Sequence, residues 1–177
     1  MIRLFVGLGL PDNVAHSLLT LQSGVPGARW STREQLHLTL RFIGEVDEQD
    51  AGAIDDALAS IFAPAFMLQL TAVGAFGGKT PRALWAGVAP NNALMHLQRK
   101  IESAIQRLRF PAEERKYTPH VTLARLRGSP TARVAEYLAD HSLYASSPFE
   151  VTEFALYSSR LTPNGSIYAA ERQYALI

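Results

Sequence analysis

LHLTLRFI, residues 36–43, is the stretch from which this chain is best read. Leu36, Leu38, Leu40 and Phe42 fall on one face of an extended strand, and His37, Thr39 and Arg41 on the other. A second run, HVTLARL at 120–126, opens the same way, with His120 and Thr122 two residues apart and Val121 between them. Pro119 steers Thr118 away from helix, so the approach to this run is extended. In both runs the histidine and threonine project together from a rigid element anchored by its apolar neighbours.

Outward from these two runs the predicted elements repeat. A leading strand covers 2–10. Asp12 then starts a helix to about Ser23, ended by Gly24, and the first H-x-T strand follows. Asp47 caps a helix over about 48–62, and strands near 66–76 and 83–89 close the first half. The second half begins with a helix over about 92–108, whose apolar stripe is Leu94, Leu97, Ile101, Ile105 and Leu108. The second H-x-T strand comes next, then a helix begun by Ser129 and Pro130, then strands near 149–158 and 166–175. We therefore expect one α+β domain over 1–177, with an internal repeat of roughly 12–89 and 92–175. A duplicated unit packs about a local two-fold axis, which would set the two motifs facing each other across a cleft.

Composition bounds the alternatives. The 177 residues carry a net charge of +1 and no cysteine, which excludes disulfides, zinc thiolates and cysteine nucleophiles. A protein tracking a long nucleic-acid backbone carries a stronger basic stripe, so if RNA is the substrate the footprint should be small, at one end of the strand. No apolar run is long enough to cross a membrane, and the apolar N-terminus stops at Pro11, so it reads as a strand rather than a signal peptide. A cytoplasmic location is expected. GAFGGKT at 74–80 lacks the glycine spacing of a phosphate-binding P-loop and leads into a strand. His16, His96 and His141 have no partners at metal-ligand spacing and read as surface residues. Arg107, Arg109, Arg115 and Lys116 surround the loop before the second motif, either solvated beside Glu113 and Glu114 or as a basic lip. Trp85, Phe149 and Tyr157 read as core.

Two facing imidazoles suit phosphodiester hydrolysis. One, neutral, takes a proton from water; the other, protonated, gives one to the leaving oxygen. Imidazole does either job near neutral pH, with a bell-shaped pH dependence. The threonine hydroxyls would donate to the phosphoryl oxygens as charge builds there. Neither metal nor cofactor is required. Arg41 shares the His37 face and is either a substrate contact or a solvated strand-end residue. Alternation puts Arg125 opposite His120, so it serves the site only if the strand bends.

HLTLRFIGEV at 37–46 and PHVTLAR at 119–125 resemble the signature motifs of the two-histidine phosphoesterases, most closely the RNA 2′,3′-cyclic phosphodiesterases, also called LigT or 2′-5′ RNA ligase-like proteins. RLFVGLGLPD at 3–12, ALWAGV at 83–88 and FALYSSRL at 154–161 extend the likeness over nearly the whole chain. The resemblance implies a bilobal fold with two antiparallel sheets flanking a cleft and helices outside. It implies metal-free hydrolysis of a terminal 2′,3′-cyclic phosphate to a 2′-phosphomonoester; a monomer is the separate expectation. It implies His37 as proton donor and His120 as proton acceptor, and it makes Arg125 a phosphate contact. Three other readings stay open: a small cyclic substrate such as ADP-ribose 1″,2″-cyclic phosphate, 2′-5′ ligation at the same site, and a nucleotide-binding module without turnover.

Overall fold

The computed structural model describes residues 1–177. In chain order it has β1 (Ile2–Leu8), α1 (Asp12–Leu19), β2 (Ala28–Trp30), β3 (Leu38–Val46), α2 (Glu48–Ala59), β4 (Phe66–Leu68), β5 (Leu70–Phe76) and β6 (Ala83–Val88). There follow α3 (Asn92–Arg107), β7 (His120–Leu126), α4 (Thr131–Asp140), β8 (Phe149–Val151), β9 (Glu153–Thr162) and β10 (Gly165–Ala175). No helix is long and apolar enough to cross a membrane.

Local chemistry sets the helices. Asp47 accepts the Asp50 amide and Asn91 the Leu94 amide, which supply the N-caps of α2 and α3. Helix α3 buries Leu94, Leu97, Ile101 and Ile105, the stripe read from sequence. Helix α1 stops earlier than expected. After Leu19 the backbone tightens into three-residue bonds, Leu21 to Leu18 and Gln22 to Leu19, before Gly24 turns the chain. Two long expected strands break, at Gln69 and at Thr152. The freed pieces β4 and β8 leave the main sheet and pair with each other, Phe66 opposite Val151 and Leu68 opposite Phe149.

The main sheet is antiparallel, in the order β10–β9–β1–β3–β7–β6–β5, with β2 added to β7. Strands β3 and β7 meet at a single residue pair, Leu38 opposite Val121, the residues between histidine and threonine in each motif. The sheet is therefore two halves joined at one point, and a cleft opens over the join. The hairpins are exchanged: β9–β10, late in the chain, completes the half holding β3, while β5–β6, early in the chain, completes the half holding β7. A single buried cluster runs through both halves and the helices, including Leu38, Leu40, Val121, Leu123, Ile54, Leu94 and Ile101. Neither half of the sequence has a separate core.

Both motif strands carry a bulge at the same position. On β3, Val6 pairs with Arg41 and Gly7 with Thr39, leaving Leu40 as the extra residue. On β7, Leu84 pairs with Ala124 and Trp85 with Thr122, leaving Leu123 extra. An extra residue shifts the side-chain alternation by one. Leu40 and Arg41 are thus both buried, as are Leu123 and Ala124, and the next residue of each strand returns to the cleft face. This corrects three expectations. Phe42 leaves the core and is exposed. Arg125 comes round to the cleft. Arg41 is not solvated, and its side chain is engaged within the fold. It is 8% exposed, with Nε 2.5 Å from Glu102 Oε2, and its other nitrogens donate to the carbonyls of Phe42 and Pro111.

Candidate active site

The cleft over the join has a volume of about 440 Å³ and is lined from both halves, by His37, Thr39 and Phe42 on one side and Thr122 and Arg125 on the other. His120 and Thr39 line the adjoining hollow, whose far wall is the loop carrying Arg115, Lys116 and Tyr117. Arg3 and Arg29 also face the main cleft, and none of its lining residues is acidic. A chain of net charge +1 thus concentrates positive potential here.

The two histidines are held alike. His37 Nδ1 lies 2.8 Å from the Gln35 carbonyl, and His120 Nδ1 lies 2.7 Å from the Thr118 carbonyl. A carbonyl only accepts, so Nδ1 carries hydrogen in both rings and Nε2 is the nitrogen left for exchange. Aromatic packing fixes the ring planes. Phe5 lies 4.7 Å from the His37 ring and Tyr168 meets it edge-on at 5.1 Å; Phe76 meets His120 edge-on at 4.9 Å. Gly7 allows β1 to come this close, since a Cβ there would sit 2.9 Å from the Leu38 carbonyl oxygen.

The pair differs in one respect. His37 Nε2 is 2.8 Å from the Thr39 hydroxyl. With Nδ1 protonated, the neutral ring accepts from that hydroxyl. Burial lowers the His37 pKa below 6.5; the Gln35 carbonyl opposes this and the charge of His120 adds to it.

Cross-bracing ties each motif to the other half of the sequence. The Tyr117 hydroxyl, from the loop before β7, donates to the Thr39 carbonyl at 2.8 Å. Burial raises that phenol well above its ordinary value, so it stays a donor. Reciprocally, Ser31 donates its hydroxyl to the Thr122 carbonyl at 3.1 Å and its amide to the Leu123 carbonyl at 2.8 Å. Tyr117, Ser31, Arg29 and Arg3 do not stand out in the sequence, because no local pattern reveals a partner across a sheet. Trp85 and Tyr157, expected in the core, are half-buried beneath the histidines, and only Phe149 is fully buried. His16 and His96 are exposed, whereas His141 packs against Tyr137 with ring centres 4.5 Å apart and the planes tilted by 57°.

Fold and paired motifs place the chain in a defined class. Residues 10–162 match the model of the 2′-5′ RNA ligase superfamily, and the chain belongs to that superfamily. Among its relatives, a protein of Aeropyrum pernix named RNA 2′,3′-cyclic phosphodiesterase is 35% identical over 162 residues, covering 90% of this chain and 88% of the relative. One of the same name from Archaeoglobus fulgidus is 31% identical over 171 residues, covering 94% and 96%. The crystal structure of Escherichia coli LigT complexed with 3′-AMP superposes with a TM-score of 0.82 at 27% identity, covering 99% of this chain and 98% of that one.

Proposed function

We propose that this chain, an enzyme of the RNA 2′,3′-cyclic phosphodiesterase kind, opens the cyclic phosphate at an RNA terminus to a 2′-phosphomonoester. Water attacks phosphorus and passes a proton to His120 Nε2. The bond from phosphorus to the 3′ oxygen breaks, and His37 Nε2 protonates that oxygen. Thr39 and Thr122 donate to the phosphoryl oxygens, and Arg125 offers a charge-assisted contact to the phosphate. The observation that carries this reading is the matched anchoring of both imidazoles on either side of the Leu38–Val121 join, each with Nδ1 committed to a carbonyl. One chain supplies both, so the scheme needs no second subunit.

RNA ending in a 2′,3′-cyclic phosphate should be opened in excess EDTA, with the 2′-phosphate as sole product. Loss of turnover on chelation would remove the metal-free scheme. A 3′-phosphate product would mean that the 2′ oxygen leaves and the substrate lies the other way round. The superfamily's description favours one second reading, 2′-5′ ligation in the same site, in which an RNA 5′-hydroxyl replaces water as the nucleophile on the cyclic phosphate and the same bond to the 3′ oxygen breaks.

The acid role asks His37 to be protonated when substrate is bound, although burial favours its neutral form in the free chain. An anionic phosphate against Nε2 raises the pKa and supplies what burial removes. Titrated by NMR, His37 should therefore protonate below pH 6.5 in the free chain, and at higher pH with a nucleoside 2′-phosphate bound. The ligand should bind more tightly as pH falls through that interval. No upward movement on binding would place the phosphate away from His37.

A further inference from the structure

We propose that Arg29 forms a second anion subsite, which takes the phosphodiester one nucleotide before the reacting terminus and makes the enzyme prefer an RNA end to a cyclic mononucleotide. This rests on the function proposed above and specifies its substrate.

Strand β2 is only three residues long, and its middle residue, Arg29, pairs in register with Arg125 of β7. Residues directly opposite in an antiparallel pair share a face with their Cβ atoms about 5 Å apart, and like charges so placed repel. No carboxylate lines the cleft to relieve them, and Arg29 takes part in no ion pair of the fold. A pairing this short gains little from setting two arginines opposite each other. An anion lying between or above them removes the conflict and replaces it with charge-assisted hydrogen bonds.

In this arrangement Arg29 takes a neighbouring phosphate, and Arg125, on the motif strand itself, bridges that phosphate and the reacting one. On β6 the partner of Thr122 is Trp85 and the partner of Arg125 is Ala83, so the arginine pair lies two ladder steps beyond Thr122. At about 3.3 Å per residue that is roughly 7 Å along the sheet, the scale of one nucleotide step.

The β9–β10 turn closes over the same place. Gly165 has φ +113°, a conformation that favours glycine, and its Cβ position lies 3.2 Å from Arg29 Nη2, so the turn packs against the guanidinium. Gln35 pins the turn by donating its amide to the Ser166 carbonyl at 3.0 Å. Gln35 is also the residue whose carbonyl holds His37. The first motif and the roof over Arg29 are thereby fixed by one residue.

The test compares Arg29→Ala with the unaltered chain on two substrates: a short oligoribonucleotide ending in a 2′,3′-cyclic phosphate, and a nucleoside 2′,3′-cyclic phosphate with no 5′ phosphate. The ratio of kcat/KM, oligonucleotide over nucleoside, should fall at least about tenfold. The slope of log kcat/KM against log salt on the oligonucleotide should become shallower by about 0.7, the release expected for one lost contact to a single strand. Arg29→Lys should recover part of the ratio. Equal losses on both substrates, or no loss on either, would overturn the subsite. Binding of the two products, oligonucleotide 2′-phosphate and nucleoside 2′-phosphate, reads the same ratio without turnover. A chain that binds both products but opens neither substrate would sink the proposed reaction, while the ratio of affinities still decides the subsite.

Discussion

Replacing His37 or His120 by alanine is expected to lower kcat by about 10²–10⁴-fold in each case, with little change in thermal stability. The double variant should lose little beyond the worse single one, because an acid and a base acting in one displacement fail together. Each ring keeps only Nε2 for proton exchange, Nδ1 being tied to Gln35 in one case and Thr118 in the other. Alanine therefore removes the exchanging nitrogen and leaves the bulged strands that carry it. The roles are separable by leaving group. An acyclic nitrophenyl phosphodiester releases a phenolate that needs no proton, so on it His37→Ala should recover most of its loss and His120→Ala should not. The opposite pattern would exchange acid and base. Full activity of either variant on the RNA substrate would end the paired-imidazole mechanism.

That pair is legible in the amino-acid sequence because it rests on the period of two, which a short strand obeys strictly. Histidine and threonine two apart share a face, and two copies in matching slots of a repeating order point to related positions. The alternation fails one residue further on. A bulge inserts an unpaired residue that has no mark of its own, so beyond Leu40 and Leu123 the faces are exchanged and Phe42, Arg41 and Arg125 all change sides. A trace of the second bulge is present, since Leu123 and Ala124 are adjacent apolar residues in a strand that otherwise alternates. At Arg41 the charge conceals it. The short strand β2 escapes notice for a different reason. ARW has no periodicity to read, and its place is set by β7, which pairs with it from far along the chain. Tyr117 and Ser31 belong to the same class: their partners are backbone carbonyls in the opposite motif, which pattern in sequence does not encode.

Arg41→Ala should unfold the chain earlier rather than weaken its grip on substrate. The guanidinium is 8% exposed and the Glu102 carboxylate 16% exposed, so removing the arginine leaves a largely buried charge without its partner. It also strips the Phe42 and Pro111 carbonyls of their donors. The combined cost is about 3 kcal/mol, which for a chain of this size lowers Tm by roughly 6–12 °C. The pH dependence identifies the cause. Burial works to raise the Glu102 carboxyl, but the Gln106 amide, the Glu113 backbone N–H and Arg41 together outweigh it and hold the pKa below 4.5. A group depressed in this way stabilises the fold above its unfolded pKa and loses that contribution as pH falls through the folded value. The Tm difference between the unaltered chain and Arg41→Ala should therefore be full at neutral pH and narrow as the solution is taken below pH 4.5. Glu102→Gln should shrink the effect of Arg41→Ala in a double-mutant cycle. A substrate-contacting arginine would instead give a raised KM at unchanged Tm, and that outcome would return Arg41 to the cleft.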